Sequence, residues 1–269
     1  MSALDRAKPI AEIPLEVCRG LRVIATDIDD TMTTDGRIPA IAFAAMWKAR
    51  AAGLIVLPVT GRPAGWCDLI ARMWPVDGVV GENGALWFRL ADGRMKRHWI
   101  FDAETRAANR AKLDAVAKDV LREVPGCAVS ADQFCREFDL AIDFCEDVPA
   151  LPRGDVDRIV AIFERHGCVA KVSSIHVNGW FGRYDKKSML ATMLASEFGI
   201  DAEKNRNAVL FAGDSPNDEP MFAHFPISCG VANIREFADR IQDPPGFLTR
   251  ARGGEGFAEL IDTILAKRG

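Results

Sequence analysis

The feature that most constrains this chain is an apolar run, residues 21–26, that ends directly in a cluster of carboxylates. The run predicts a buried β-strand, and charges at the exit of such a strand are costly unless they are paired or take part in chemistry. Asp27 and Asp29 lie two residues apart, so on extended backbone their side chains point the same way. Asp27 could attack a phosphorus atom while Asp29 delivers or removes the leaving-group proton. Acidic residues at strand ends also occur in loops and helix caps, which leaves a structural interpretation open.

A second acidic segment follows another apolar run late in the chain. Residues 209–212 are apolar and lead into the polar segment 213–218, which reads Gly-Asp-Ser-Pro-Asn-Asp. Asp214 and Asp218 offer hard oxygen ligands of the kind that Mg²⁺ prefers, directly or through water. The same string is rich in turn formers, so a simple polar turn is the alternative.

A third strand exit combines a hydroxyl, a flexible backbone and a cation. The apolar run 54–59 ends in Thr60, Gly61 and Arg62, a set that suits a bound phosphate. Pro58 conflicts with a regular central strand because proline has no backbone N–H for the ladder.

A helix over residues 186–198 is predicted by its apolar stripe, with Asp185 as the N-cap and Gly199 as the C-terminal stop. Lys186 would lie in the first turn, at the positive end of the helix dipole. A lysine is disfavoured there, so Lys186 either pairs with an anion or points into solvent.

The order of strands and helices predicts an α/β fold with a doubly wound parallel sheet, in which functional groups collect at the carboxyl ends of the strands. The predicted elements are strand 21–28, a helix from Pro39 to Gly53, strand 54–59, a helix near 63–74, strand 79–80, helix 186–198, strand 208–212 and a final helix 257–267 after a loop at Gly253–Gly256.

The intervening residues 86–183 predict a separate α+β domain. Its predicted elements are helix 103–123, strand 137–144, helix 154–166 and strands 168–172 and 174–180. Apolar and polar residues alternate along these strands, so one sheet face should pack on the two helices. The other face, which carries His176 and Asn178, would be free to cover a neighbouring cavity.

Composition excludes several classes of function. The 269 residues carry a net charge of −4 with basic and acidic residues interspersed, so no basic face argues for nucleic acid or an anionic membrane. The seven cysteines include no Cys-x-x-Cys pair, which favours reduced thiols in a cytoplasmic protein. No segment approaches the length of a membrane span, and the N-terminus lacks the apolar core of a signal peptide. The expected partner is a small molecule, and the oligomeric state stays open.

Taken in order, the four polar segments resemble the motifs of the haloacid dehalogenase (HAD) superfamily of phosphohydrolases. The matching residues are Asp27, Asp29, Thr31, Thr60, Lys186, Asp214, Asn217 and Asp218. The long insertion and the sequence Glu82-Asn83-Gly84-Ala85 are similar to subclass IIB, which holds sugar-phosphate phosphatases and Cof-type hydrolases. The resemblance implies a Rossmann-like core formed by residues 1–85 and 184–269, with residues 86–183 as an inserted cap that sets substrate specificity.

Two positions depart from the family pattern. Asp30 stands where the commonest pattern has glycine, which adds a negative charge near a site for phosphate and Mg²⁺. Lys187 follows Lys186 directly, so the assignment of the phosphate-binding lysine depends on helix register and family spacing, which favour Lys186.

The resemblance also implies a mechanism: Asp27 forms an aspartyl-phosphate, and Asp29 protonates the leaving alcohol and then activates water. The implied Mg²⁺ ligands are Asp27, Asp29 through its backbone carbonyl, Asp214 and, as outer support, Asp218. The implied phosphate-binding residues are Thr60, Gly61, Lys186 and Asn217. The candidate substrate or cap residues are Arg62, Asn83, His176 and Asn178.

The expected substrate is a small phosphorylated metabolite, with a sugar phosphate favoured because a polar lid suits a polyol leaving group. One alternative is a phosphomutase of the same fold that returns the phosphoryl group to the substrate. A non-catalytic ligand-binding protein of this fold is a further alternative, although such a protein needs neither Asp27 nor Asp29.

Overall fold

The computed structural model describes residues 3–269. The strands are β1 (Lys8–Pro9), β2 (Val23–Thr26), β3 (Ile55–Pro58), β4 (Val79–Gly81), β5 (Leu86–Ala91), β6 (Arg94–Trp99), β7 (Ala128–Val129), β8 (Leu140–Asp143), β9 (Val169–Val172), β10 (His176–Trp180), β11 (Val209–Gly213), β12 (Ile227–Gly230) and β13 (Phe247–Leu248). The α-helices are α1 (Leu15–Gly20), α2 (Ala40–Ala51), α3 (Ala64–Met73), α4 (Ala103–Glu123), α5 (Arg153–Arg165), α6 (Lys186–Phe198), α7 (Glu219–His224) and α8 (Gly253–Arg268).

The main sheet is parallel, with the strand order β1-β13-β12-β11-β2-β3. Strand β2 lies between β11 and β3, and Thr26 at its end is opposite Ala212 on one side and Pro58 on the other. The chain leaves β2 toward β3 on one side and later returns on the other side as β11, which makes the end of β2 a topological switch point. The predicted α/β fold class is therefore confirmed.

The sheet is apolar on both faces because helices cover both. Val23 and Ala25 of β2 pack in a cluster with residues of α6 and α7. Ile24 points the other way, into a cluster with residues of α2 and α8. A strand buried on both faces explains why Val23, Ile24 and Ala25 are apolar in succession, without alternation.

Pro58 is accommodated because its nitrogen faces away from β2. The N–H groups of Ile55 and Val59 donate to Arg22 and Thr26 of the β2 segment, at 2.9 and 2.7 Å. The N–H groups of successive strand residues point to opposite sides, so the odd positions face β2 and position 58 faces away from it. A missing N–H at Pro58 therefore removes no hydrogen bond to β2. The predicted strand therefore remains regular up to the turn that carries Thr60.

The antiparallel strands β4, β5 and β6 form a small separate sheet. Its hairpin turns at Asp92 and Gly93, both at positive φ. Val80 of β4 also bridges to Val59, so residues 86–99 continue directly from a strand beside the main sheet. The domain limits at residues 85 and 183 stay a prediction.

The inserted segment contains the antiparallel sheet β7-β8-β10-β9 with α4 and α5 on one face. The shared apolar cluster includes Leu113 of α4, Phe163 of α5 and Ile142 of β8. The opposite face carries His176 and Asn178, as the alternation predicts. Strand β8 is shorter than the predicted 137–144, because residues 137–139 bond to a core carboxylate described below.

The C-terminal helix begins at Gly253, so the predicted loop at Gly253–Gly256 is wrong. These glycines lie inside the helix because neighbouring chain approaches them closely. A Cβ atom on Gly254 would lie 2.4 Å from the Pro39 ring, and one on Gly256 would lie 2.4 Å from the Ala251 carbonyl oxygen. Close packing rather than turn formation therefore explains the glycines.

Among residues 3–269, no helix is both long and apolar enough to cross a membrane. The seven cysteines are free thiols, and Cys18, Cys67, Cys168 and Cys229 are buried.

Candidate active site

The polar segments that follow β2, β3 and β11 meet at one edge of the main sheet. The Asp27 N–H donates to the Ala212 carbonyl at 2.9 Å, which extends the ladder between β2 and β11 by one residue. Asp214 follows directly after β11, and Thr60 lies two residues beyond β3. Parallel strand ends thus bring together side chains far apart in sequence.

Lys186 lies at the centre of this edge. Its Nζ atom is 2.8 Å from Asp27 Oδ1 and 2.9 Å from Asp218 Oδ1, and its side chain is 7% exposed. Burial alone would lower the pKa of Lys186, but the Asp218 and Asp27 carboxylates raise it above its ordinary value. Lys187 is partly exposed, so the geometry places Lys186, not its neighbour, at the site.

The start of α6 that carries Lys186 is fixed in two ways. Asp185 accepts from the Ser188 N–H at 2.7 Å and forms the N-cap. Gly84, at φ +101°, lies so close that a Cβ atom there would be 2.0 Å from the Asp185 carbonyl oxygen. Glycine at this position of the Glu82-Asn83-Gly84-Ala85 sequence therefore permits the close approach of the lysine helix.

Three buried carboxylates beside Lys186 form a candidate metal site. Ligand atoms of Asp27, Asp214 and Asp218 lie within 4.8 Å of one another. Burial raises the pKa of Asp27 to about 7, with Asp218 and Asp29 acting in the same direction and Lys186 opposing them. Burial, Asp218 and Asp27 likewise raise the pKa of Asp214.

One lysine cannot balance three buried carboxylates, and hard oxygen donors in such a group fit a divalent cation such as Mg²⁺. Asp214 is also held by neutral donors. Thr31 Oγ1 donates to Asp214 Oδ1 at 2.8 Å, and Asn233 Nδ2 lies 3.3 Å from Asp214 Oδ2. Thr31 thus positions a carboxylate of the group.

The Asp29 side chain lies outside this group and pairs with Arg62. Arg62 Nε is 3.0 Å from both Asp29 carboxylate oxygens, and Nη2 is 2.9 Å from Oδ1. The guanidinium also lies over the Trp66 ring, 4.3 Å from its centroid. Arg62 therefore directly positions the candidate acid–base residue. This role is more specific than the substrate contact predicted from the sequence.

Thr60, Gly61 and Asn83 form a tight turn behind the site. The Arg62 N–H donates to Thr60 Oγ1 at 3.0 Å, and the Asn83 N–H donates to the Thr60 carbonyl at 3.1 Å. A Cβ atom on Gly61 would lie 3.2 Å from Asn83 Oδ1. Within residues 3–269, Asn83 Nδ2 is buried without a hydrogen-bond partner. Asn83 thus supports the predicted phosphate loop from behind.

Asn217 is hydrogen-bonded within its own loop, and its predicted contact with a phosphate stays a prediction. Its Oδ1 accepts from Ser215 Oγ at 2.6 Å, whereas the hydrogen bonds of Lys186 Nζ within residues 3–269 go to Asp27 and Asp218. Asn217 still lines the cavity beside the nucleophile.

Asp30 adopts a left-handed conformation with φ +58°. Glycine adopts this conformation without strain, and aspartate tolerates it better than most residues, which accounts for the family preference and for the exception here. Burial raises the pKa of Asp30, opposed by a hydrogen bond to Ser174 of the cap. The extra carboxylate therefore contacts the cap.

The polar face of the cap lies over the site and lines a small cavity together with it. His176 Nε2 lies 2.9 Å from Glu146 Oε2, and Asn178 Nδ2 donates to Asp139 Oδ2 at 2.9 Å. The lining residues are Asp27, Asp29, Gly61, Arg62, Arg136, Ser173, Ser174, Ile175, His176, Asn178, Ser215 and Asn217. Both cap residues predicted from strand alternation thus face the same cavity as the core carboxylates.

Sequence reasoning missed the residues that join cap to core. The buried Glu82 carboxylate accepts from the Ala64 N–H at 3.0 Å and from the Phe138 N–H of the cap at 2.6 Å. Arg136 of the cap donates to the Gly61 carbonyl at 3.0 Å and to Asp139 at 3.1 Å. From Glu137 to Leu140 polar and apolar residues alternate, but no local pattern identifies the partners of this segment in the core.

No family model matches the chain. A phosphoglycolate phosphatase of Pyrobaculum neutrophilum is 28% identical over 92% of this chain and 97% of its own length. One of Thermoplasma volcanium is 24% identical over 90% and 97% of the two chains.

Solved structures show the same fold. A putative HAD/COF-like hydrolase of Plasmodium vivax superposes with a TM-score of 0.68 at 16% identity, over 94% of this chain and 99% of its own. A HAD subclass IIB sugar phosphatase superposes with a TM-score of 0.59 at 16% identity, over 90% and 98% of the two chains.

The converging segments lie on a fold shared with a HAD/COF-like hydrolase and a HAD subclass IIB sugar phosphatase, and the chain is similar in sequence to proteins named phosphoglycolate phosphatase.

Proposed function

We propose that the chain is a Mg²⁺-dependent phosphatase that hydrolyses a small phosphorylated metabolite through an aspartyl-phosphate on Asp27. The observation that carries the proposal is the buried contact of Lys186 with both Asp27 and Asp218, beside Asp214. A lysine in this place neutralises part of the charge that a phosphate dianion would meet at an anionic nucleophile.

The metal would be held by Asp27, Asp214 and the Asp29 backbone carbonyl, with Asp218 as outer support. When bound, Mg²⁺ would supply the positive charge that offsets repulsion between the phosphate and these carboxylates. The raised pKa values of Asp27 and Asp214 support this assignment, because they reflect buried negative charge that a cation would relieve.

The remaining chemistry uses this chain's own side chains. Asp27 attacks phosphorus, the bond from phosphorus to the leaving oxygen breaks, and Asp29 gives that oxygen its proton. Asp29 then takes a proton from water, which attacks phosphorus and breaks the bond to Asp27. Lys186 and Thr60 hold the non-reacting phosphate oxygens, and Gly61 lets the backbone approach them.

A sugar phosphate is the favoured substrate because the cavity offers polar groups but no unpaired cation among its described lining residues. Arg62 pairs with Asp29 and Glu146, and Arg136 pairs with Asp139. A neutral polyol can hydrogen-bond to such pairs, whereas a substrate carboxylate would have to displace one. The names of the archaeal relatives make phosphoglycolate the second candidate.

The test is phosphate release by the purified chain with Mg²⁺ and with a chelator, across sugar phosphates, phosphoglycolate, nucleotides and cofactor phosphates. The Asp27→Asn variant is the blank, since it keeps the volume of the side chain and removes the nucleophile. We expect release that needs Mg²⁺ and is fastest with a sugar phosphate. Fastest release from phosphoglycolate would overturn the substrate assignment and keep the reaction class.

Two outcomes would overturn the phosphatase itself. Conversion of one sugar phosphate to its isomer without free phosphate would indicate a phosphomutase. Tight binding of a phosphorylated ligand by the folded chain, with neither release nor isomer, would indicate a ligand-binding protein.

A further inference from the structure

Arg62 is shared between the core and the cap. One edge of its guanidinium pairs with Asp29, as described above, and Nη2 also lies 3.3 Å from Glu146 Oε1 of the cap. Nη1 lies 3.7 Å from Asp132 Oδ2, a second cap carboxylate. The Arg62 side chain is 6% exposed, so these contacts are made largely out of water.

The loop that carries Glu146 is held by its backbone. The Asp143 carboxylate at the end of β8 accepts from the backbone N–H groups of Cys145 at 2.9 Å, Glu146 at 2.7 Å and Asp147 at 2.8 Å. The loop after β8 is thus fixed relative to the cap sheet. Any movement of the cap relative to the core would carry the Glu146 carboxylate toward or away from Arg62.

Glu146 is also paired with His176, a cap residue that lines the cavity. Its second oxygen, Oε2, lies 2.9 Å from His176 Nε2, while Oε1 faces Arg62. Close contact with His176 and the charge of Arg62 together lower the pKa of Glu146 to about 2. The carboxylate is therefore charged at neutral pH and can act on the guanidinium as a full negative charge.

We infer that Glu146 is a positioning residue that acts through Arg62 to align the Asp29 side chain for proton transfer when the cap is closed. The inference rests on the proposed function, because it requires Asp29 to serve as acid and base. It gives a role to Glu146, a cap residue that lies outside the four polar segments of the core. Through Arg62, it also makes proton transfer depend on the closure of the cap over the substrate.

The geometry makes Glu146 and not Asp132 the main cap partner, since its contact with Arg62 is shorter by 0.4 Å, from 3.7 to 3.3 Å. Without the Glu146 charge, Arg62 keeps Asp29 as its close partner but loses its nearer hold on the cap. The Asp29 carboxylate then samples orientations in which the leaving oxygen is out of reach. Proton transfer suffers, while attack by Asp27 does not.

The test compares the variant Glu146→Gln with the wild type on para-substituted phenyl phosphates, which have nearly the same size but different leaving-group pKa values. Glutamine keeps an oxygen for His176 and removes the charge that faces Arg62. The matched control is Asp147→Asn, since within residues 3–269 the Asp147 side chain has no hydrogen bond or ion pair. The readout is the slope of log kcat/KM against leaving-group pKa.

We expect Glu146→Gln to steepen this slope. Turnover of 4-nitrophenyl phosphate should fall less than about 3-fold, because that leaving group departs without a proton. Turnover of phenyl phosphate should fall about 10-fold to 100-fold, within the range that general acid catalysis contributes. Glu146→Asp, which restores the charge at shorter reach, should recover part of the slope, and Asp147→Asn should match the wild type.

An unchanged slope in Glu146→Gln would overturn the inference, whether or not all rates fall together, because a structural role lowers every rate equally. Turnover of these esters by the wild type in the same experiment would then show that the proposed phosphatase activity is not contradicted. Wild-type protein that hydrolyses no ester with Mg²⁺ would overturn the proposed function and the inference with it.

Discussion

The carboxyl edge of the main sheet and the polar face of the cap both bury charged groups, but they hold them differently. At the sheet edge, Asp27 and Asp214 follow directly on paired strands, so backbone ladders fix their positions. On the cap face, Arg136 and Asn178 are held by side-chain contacts to Asp139. Under the proposed function, we expect the core to supply chemistry common to all substrates and the cap to select among them.

The largest effect on catalysis is expected at Lys186, the lysine at the sheet edge. Lys186→Met leaves Asp27 and Asp218 buried without their cation, so we expect kcat/KM to fall about 1,000-fold or more for every substrate. Lys187→Met, one residue along the same helix, should stay within about 3-fold. Steady-state kinetics of both variants test this expectation. Equal losses of kcat/KM in the two variants would contradict the assignment of Lys186 as the phosphate-binding lysine.

The next largest effect concerns the close approach that positions this lysine. A Cβ atom on Gly84 would lie 2.0 Å from the Asp185 carbonyl, whereas Gly53, also at positive φ, has no atom within 4 Å of such a Cβ. We expect Gly84→Ala to lower the free energy of unfolding by about 3 kcal/mol or more and Gly53→Ala by about 1 kcal/mol. Denaturant unfolding measures both, and similar losses would contradict the packing argument.

Cap substitutions should act selectively. We expect His176→Ala and Asn178→Ala to lower kcat/KM for the preferred substrate about 10-fold to 100-fold, since each removes a polar contact in the cavity. For a small aryl phosphate the loss should stay within about 3-fold. His166→Ala is a matched control, because His166 pairs with Asp119 on the helical side of the cap. Equal losses on both substrates would place the two residues outside the specificity surface.

The smallest effect is a pH dependence at the junction between cap and core. Burial, with the charge of Asp139, raises the pKa of Glu82 to about 7. A raised carboxyl pKa stabilises the fold fully below the unfolded value of about 4.3, and this stabilisation is lost as pH rises through about 7. The Tm of the wild type should therefore fall from pH 5 to pH 8 relative to Glu82→Gln, by about 5 °C.

Thermal unfolding of the two proteins across this pH range makes the comparison. Parallel Tm curves would show that Glu82 keeps an ordinary pKa in the folded chain.

Most of the structure that positions the core site could be predicted from the sequence, but few of the contacts between cap and core could. Strand exits, helix caps and the 186–198 helix follow from local patterns, because ladders and capping bonds join near neighbours or adjacent strands. The pairs of Arg62 with Glu146 and of Glu82 with Phe138 join segments 84 and 56 residues apart. No periodicity encodes such pairs, since they depend on how the cap packs on the core.

The incorrect prediction of a loop at Gly253–Gly256 has the same cause, because packing between distant segments decides its structure. Glycine clusters usually mark turns, and here they mark a helix that packs against Pro39 and the 249–251 segment. The left-handed backbone of Asp30 also depends on tertiary contacts, through the hydrogen bond from Asn233 to its carbonyl oxygen at 3.0 Å.

The most direct test of the account is to locate the phosphoryl group on the chain. The Asp29→Asn variant should still be phosphorylated by 4-nitrophenyl phosphate with Mg²⁺, because this leaving group needs no proton, and should then stall before water attack. Acid quenching, trypsin digestion and mass spectrometry should find the phosphate on Asp27, within the peptide 23–37. Phosphate on another residue, or steady phosphate release by Asp27→Asn, would contradict the account.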